Sequence, residues 1–310
     1  MTLKKISISN FRCFDNIELF FSDFNNFVYG PNGSGKTSIL EALYFCSTGR
    51  SFKSSNKDFC IQNNKNAFKI QLETFSNNKI CILKEFKKPI TFEIDEKKVT
   101  SIDLFRSIPS TLLDNKTFSM FADTPKYRRK IFDRCLIASD KNYNKEFFSF
   151  HRSLKQRNAA LKFKRLTNID MWSQIFINSG TLISEKREIF FRETKKTFYG
   201  FTKNFNDTRV IEIINSLEIF FNKGWSNDQS LKKALTNNRD IDQRKTTTTI
   251  GPHKADIKFL INGSDIKYIL SRGEQKFMAI LWCLSMHKTL SNFYGVKPFL
   301  IIDDIHSELD

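Results

Sequence analysis

The chain has 310 residues, 40% of them hydrophobic, and carries 50 Lys and Arg against 33 Asp and Glu, a formal charge of +17. That much apolar material can form a sizeable core, read here as one ATPase-sized domain with a smaller lobe, and the cationic excess points to polyanionic partners. No run approaches the roughly 18 apolar residues that mark a bilayer span, and the first eleven residues alternate like a strand rather than a signal peptide, so a cytoplasmic protein without a membrane partner is expected. The six cysteines, at positions 13, 46, 60, 81, 135 and 283, show no C-x-x-C spacing, and the four histidines do not complete a metal cluster with them.

In chain order, Leu3 to Ser9 alternates and residues 17–21 are again apolar, which predicts a hairpin. Arg12 lies at its tip, one connection before a nucleotide-type loop, and is a candidate phosphate contact. Asn26-Phe27-Val28-Tyr29 reads as a buried strand leading into Gly30-Pro31-Asn32-Gly33-Ser34-Gly35-Lys36-Thr37-Ser38. This is the pattern G-x-x-x-x-G-K-[ST]. Its glycines let backbone N–H groups turn inward around a polyphosphate, its lysine meets the β and γ phosphates, and its threonine hydroxyl reaches Mg²⁺. Ile39, Leu40, Leu43 and Tyr44 then follow at helical spacing, and Gly49 suits the helix end.

Short strands are expected over residues 68–75, 80–86 and 90–94, an antiparallel meander foreign to a simple kinase. From Pro125 to Arg165 the pattern becomes helical and basic, with Lys126, Arg128, Arg129, Lys130, Arg134, Arg152, Lys155, Arg157, Lys162, Lys164 and Arg165. Such a tract is either a solvated helix face or a phosphate-backbone surface that releases counterions from DNA. Residues 168–206 continue helical, 226–244 are polar, and a strand over 257–261 ends in the hairpin turn Asn262-Gly263.

Two later stretches complete an ATPase-like set. In Leu270-Ser271-Arg272-Gly273-Glu274-Gln275-Lys276, the serine opens a helix, either as the N-cap of a capping box or as a second small anion site. Residues 298–302 form an apolar strand ending in Asp303-Asp304, the place for a carboxylate that holds Mg²⁺ and one that polarises the attacking water. Because so apolar a strand belongs in a parallel sheet, its exit is expected beside that of the phosphate loop.

The segments NFRCF, GPNGSGKTSILEALY, GRSFK, PKYRRKIFD, SLKQRNAALK, GPHKADIKF, LSRGEQK and LIIDDIHSELD resemble those of the RecF family of ABC/SMC-type ATPases, in the same order and over nearly the whole chain. The resemblance implies an α/β fold, a P-loop ABC-type ATPase head with a mixed sheet and an inserted mainly helical lobe. The expected division is head 1–120, lobe 121–245 and head again 246–310. It further implies ATP and Mg²⁺ as cofactors. Residues 30–38 with Lys36 would sit on the phosphates, Thr37 and Asp303 on the metal and Asp304 as catalytic acid. Ser271, Arg272 and Gly273 would reach a partner's ATP, with Ser307–Asp310 the loop that communicates across the dimer. The implied function is an ATP-gated homodimeric clamp on single- and double-stranded DNA in gap repair, replication-fork maintenance and the SOS response. It would work with RecR and RecO-like proteins to load recombinase and show a weak DNA-stimulated ATPase activity. The alternatives are a transporter-type ATPase subunit and a truncated ATP-binding protein without turnover.

Departures from the family pattern are Ala122-Asp123-Thr124-Pro125 before the arginine pair, Asn115-Lys116-Thr117 upstream, and Thr111 where some relatives carry glutamine. The sequence also stops after SELD, where relatives continue, as expected of a fragment or of a shortened protein.

Overall fold

The computed structural model describes residues 3–122, 124–164, 169–202 and 205–304. Asp123, Arg165 and the expected communicating loop Ser307–Asp310 lie outside these residues. The elements run β1 (Leu3–Phe11), β2 (Phe14–Phe20), α1 (Lys36–Thr48), β3 (Ala67–Thr74), β4 (Lys79–Glu85), β5 (Thr91–Ile94), β6 (Lys97–Lys98), α2 (Ser101–Ser107), β7 (Ser110–Leu113), α3 (Asn115–Phe118), α4 (Pro125–Ser139), α5 (Lys141–Lys162), α6 (Ile169–Thr202), α7 (Thr208–Ser216), β8 (Leu217–Asn222), α8 (Leu231–Asn237), α9 (Arg239–Lys245), β9 (Asp256–Ile261), β10 (Ser264–Asp265), α10 (Ile266–Ile269), α11 (Arg272–Asn292) and β11 (Phe299–Ile302). The described residues divide into two compact units, one of 3–117 with 295–304 and the other within 118–294. The expected boundary at 245 is thereby moved: residues 246–294 join the helices, because α11 packs along α6 and β9 against α4.

Unit one is built on an antiparallel sheet of order β2-β1-β3-β4-β5-β6, the meander expected from the sequence extended by the N-terminal hairpin. Alternation drives it: Ile6 and Ile8 on β1, Phe68, Ile70 and Leu72 on β3, and Ile80 and Ile82 on β4 are buried on one face. Burying each such side chain contributes about 1.5–3 kcal/mol. Helix α1 covers that face, and Phe45 meets Phe11 and Phe68 edge to face at 5.9 and 5.6 Å. It ends at Gly49, whose left-handed φ of 64° lets its N–H cap the Phe45 carbonyl.

A second sheet in this unit is a parallel pair, β7 with β11, in which Leu113 stands opposite Ile302. Two sequence expectations fail here. Residues 26–29 form no strand, and Phe27 and Tyr29 are 84% and 92% exposed rather than buried. Likewise Leu300 and Ile302 of β11 remain partly in solvent. Among the described residues β11 pairs with β7 alone, so its other edge stays open while residues 26–29 make no ladder.

In unit two, α5 packs along α6, and α6 along α11. Strands β8, β9 and β10 form an antiparallel sheet, with Asn262 and Gly263 at φ 50° and 79° as the hairpin turn. Trp282, 1% exposed, lies among Phe191, Phe198 and Phe259. The helices α8 and α9 occupy the stretch read only as polar.

Buried ion pairs hold this unit's motifs together. Arg128 donates to both carboxylate oxygens of Asp256 at 2.8 and 3.0 Å, and Arg129 donates to the Ala255 carbonyl at 2.6 Å. Arg187 grips Asp133 at 2.8 and 2.9 Å and donates to the Pro252 carbonyl at 2.7 Å, while the Tyr143 hydroxyl donates to Asp133 at 2.6 Å. Arg157 pairs with Asp242 at 2.8 Å and donates to Thr248 at 2.6 Å. The arginines of PKYRR and the Arg157 of LKQRNAAL therefore face inward, clasping residues 242–256. This corrects the reading of the basic tract as one phosphate-binding surface: Arg128, Arg129 and Arg157 are committed to the fold.

Asp133→Asn should destabilise the protein by about 3–5 kcal/mol, since it strands the Arg187 charge in the interior; chemical denaturation measures it. A second expectation concerns His253, which shares a hydrogen bond with the Thr248 carbonyl at 3.0 Å. Burial, more than the nearby Lys254 and Arg129, holds its pKa down at about 4. The unfolded chain takes up this proton near pH about 6.5, before the folded one does. Stability from the neutral ring is thus present above pH 6.5 and lost as pH falls toward 4. The melting temperature of His253→Gln should fall less steeply than that of the parent between pH 7 and 4.5.

Candidate functional site

The phosphate loop sits in unit one between the irregular segment 26–29 and α1. Gly33 and Gly35 take φ of 84° and 93°, which a side chain resists. Gly35 is also crowded: a Cβ there would stand 2.4 Å from Phe14 Cζ and 2.7 Å from Cys13 Sγ. The tip of the β1–β2 hairpin thus rests on the last glycine of the loop. Gly35 is the N-cap of α1 and supplies no side-chain cap, so first-turn N–H groups are left for an anion. Lys36 Nζ donates to the Gly30 and Pro31 carbonyls at 2.8 and 2.9 Å. These two bonds hold the ammonium over the loop, and phosphate oxygens can take their place.

The expected neighbour is present. Thr37 Oγ1 donates to Asp303 Oδ1 at 3.1 Å, bridging 266 positions of sequence. The exits of β11 and of the loop therefore lie side by side, as anticipated, although β11 is less buried than anticipated. Asp303 is half-buried, and burial is the main influence raising its pKa, opposed by the Thr37 hydrogen bond and reinforced by the charges of Asp304 and Asp114. Asp304 is exposed with a left-handed φ of 55°, a conformation aspartate tolerates better than most residues. Two hard oxygen donors, Thr37 Oγ1 and the Asp303 carboxylate, at the foot of a phosphate loop fit Mg²⁺.

Asp114 escaped the sequence reading. It follows β7 as Asp303 follows β11, and the parallel register with the Asp303 N–H to Leu113 carbonyl bond of 2.9 Å sets the two chain positions side by side. Its carboxylate accepts from Thr117 N and Oγ1 at 2.8 and 2.7 Å. The available signal was a four-residue strand, Ser110-Thr111-Leu112-Leu113, ending in an acid, too short and too polar to stand out.

Arg12 is placed otherwise than expected. Its guanidinium donates to both Glu41 oxygens, at 2.8 and 2.6 Å, and to the Phe59 carbonyl at 2.8 Å. Glu41 is fully buried on α1 and also accepts from Ser51 of the GRSFK segment. Arg12 is therefore a clamp fixing the hairpin tip to α1 rather than a direct phosphate contact in this conformation.

Ser271, Arg272 and Gly273 belong to unit two and open α11. The capping box is formed: Glu274 N donates to Ser271 Oγ at 3.3 Å and Ser271 N to Glu274 Oε2 at 2.7 Å. Arg209 Nε secures Glu274 from α7 at 2.8 Å. Ser271 and Arg272 remain exposed at the helix start. The phosphate loop with Thr37 and Asp303 belongs to the first unit, and the Ser271 capping box to the second.

A family model described as the RecF/RecN/SMC N terminal domain matches residues 2–310. A protein of Pseudoalteromonas translucida (strain TAC 125), named DNA replication and repair protein RecF, is 32% identical over 316 aligned positions, covering all of this chain and 85% of its own length. The chain belongs to the RecF family. Among solved structures, one described as the recombination mediator protein RecF-ATP in the RecFOR pathway superposes with a TM-score of 0.87 at 26% identity, covering all of this chain and 86% of that one. An Smc head domain from Pyrococcus furiosus shares the fold alone, at a TM-score of 0.52 and 14% identity. The fold is thus the α/β ABC-type ATPase head of RecF and SMC proteins, with a mainly helical lobe.

Gly35→Ala should weaken ATP binding at least tenfold, because it adds a left-handed strain and drives a methyl into Phe14. Titration calorimetry with ATP and Mg²⁺ measures it, with Gly33→Ala, which meets no neighbour, as the milder control.

Proposed function

We propose that this RecF-family chain is an ATP-dependent DNA-binding protein of replication and recombinational gap repair, in which ATP closes a homodimer on DNA. The observation that carries the reading is the Thr37–Asp303 contact beneath the phosphate loop of unit one, with the exposed Ser271 cap on the other unit. The family and its ATP-described structural relative support it.

In this reading the loop N–H groups and Lys36 bind and orient the β and γ phosphates, and Thr37 and Asp303 hold Mg²⁺. When bound, the ion neutralises charge building on the transferring phosphoryl group. Asp304 holds the attacking water. Ser271, Arg272 and Gly273 meet the γ phosphate on the opposed subunit, so each site is finished by the partner. Hydrolysis is slow, stimulated by DNA, and reopens the dimer, with RecR- and RecO-like proteins reading the closed state. Among the described residues no helix is long and apolar enough to cross a membrane, which agrees with a cytoplasmic role. A second reading, ATP binding without turnover, is favoured by the unpaired segment 26–29 that leads into the loop. Phosphate release with and without DNA separates the two.

Sedimentation should show a monomer that dimerises with ATP and Mg²⁺, and duplex binding that follows dimerisation and weakens steeply with salt. Lys36→Ala should lose nucleotide, dimer and tight duplex binding together. Ser271→Arg should keep ATP binding yet fail to dimerise. Parent-like dimerisation and DNA binding by both variants would overturn the gating mechanism.

A further inference from the structure

Helix α5 divides its charges by face. The inward Arg157 is ion-paired, whereas Lys141, Lys145, Phe148, Arg152, Lys155 and Lys162 recur every three, four or seven residues and so form one exposed stripe. Over 22 residues the helix is about 33 Å long. Within the described residues Lys141, Lys145, Arg152 and Lys155 make no ion pair, and no carboxylate lies on the stripe. The adjacent acids face elsewhere: Asp140 caps α5 and pairs with Lys186 at 3.1 Å, and Glu146 sits off the stripe.

An ordinary solvated face mixes signs, as the neighbouring α6 does with exposed Glu185, Lys186, Glu188 and Arg192. The α5 stripe instead has a single sign and contains an aromatic ring, Phe148, 54% exposed in the midst of cations. A phenylalanine held in water among positive charges suits a ligand carrying both negative charge and flat apolar faces. Duplex DNA offers its phosphates but keeps its base faces stacked; a single strand offers both.

We propose that the outer face of α5 binds single-stranded nucleic acid along its length, with phosphates on the stripe's cations and a base stacked on Phe148. The inference rests on the DNA-binding reading but does not involve the nucleotide site. Binding here is sequence-tolerant, salt-sensitive and independent of ATP, and it gives the protein a hold on the unpaired side of a gap.

Fluorescence anisotropy of the whole protein with labelled dT20 and with a labelled 20-base-pair duplex, with and without ATP, tests it. Phe148→Ala should weaken dT20 binding roughly tenfold to a hundredfold while changing duplex affinity less than about twofold. Arg152→Glu with Lys155→Glu should weaken dT20 binding more than tenfold and lower the salt slope by at least about 1.4, at about 0.7 per lost phosphate contact. All these residues are exposed, so melting temperatures should match the parent. Parent-like dT20 affinity in both variants overturns the proposal, as does equal loss for dT20 and duplex with Phe148→Ala neutral. Loss confined to vesicles of 80% phosphatidylcholine and 20% phosphatidylserine would reassign the face to a membrane surface and also overturn it. A parent that binds duplex with ATP but not dT20 defeats this inference alone, whereas a parent that binds neither defeats the DNA reading itself.

Discussion

A carboxylate with no exposed surface must find its partners inside, and Glu41 on α1 finds them in Arg12, Ser51 and the Cys60 thiol. This demand draws the β1–β2 tip, the start of the segment after α1, and the helix itself into one cluster. Arg12 reaches it from a left-handed φ of 54°. The neighbouring Cys13 and Phe14 then press on Gly35 and define where the phosphate loop can run. Removing the charge at Glu41 would therefore be felt at the nucleotide site although Glu41 touches no nucleotide. The burial that shields Glu41 also pushes the Cys60 thiol up to about 11, leaving it an unreactive neighbour at neutral pH.

In the second unit arginine does comparable work. Arg128, Arg129, Arg157 and Arg187 gather the irregular stretch 242–256 by bonding carboxylates and carbonyls that could not be buried unpaired. Planar, multi-donor guanidinium suits this better than an ammonium, since one side chain satisfies a carboxylate and a carbonyl at once. On α5 the lysines, with compact and strongly hydrated charges, stay outside, whereas Lys276 of α11 is buried at 3% exposure. Four arginines tie the lobe together, and the lysines of α5 with Arg152 give that helix its outer potential.

The two units divide the chemistry as well as the mass. Loop, Thr37 and paired aspartates lie on one, and the capped serine lies on the other, held by Glu274 and Arg209.

The elements with strong local signals were legible in the sequence. The hairpin, the meander, the loop with its helix, the Asn262-Gly263 turn and the run of α4 to α6 follow from alternation, glycine placement and helical spacing, which depend only on near neighbours. The loop residues and Asp303 were legible for the same reason, being defined by residue type at fixed spacing. Tertiary structure alone decided whether apolar runs find partners, so residues 26–29 remained unpaired and the strand of Asp303 half-exposed. It alone turned Arg12 toward Glu41 and Arg128, Arg129 and Arg157 inward, because a charge is paired by groups distant in sequence. It set Asp114 beside Asp303 through parallel register, and it moved 246–294 to the helical unit through packing. Local periodicity fixes what each segment can be; long-range pairing of charges and strand edges decides what each segment faces.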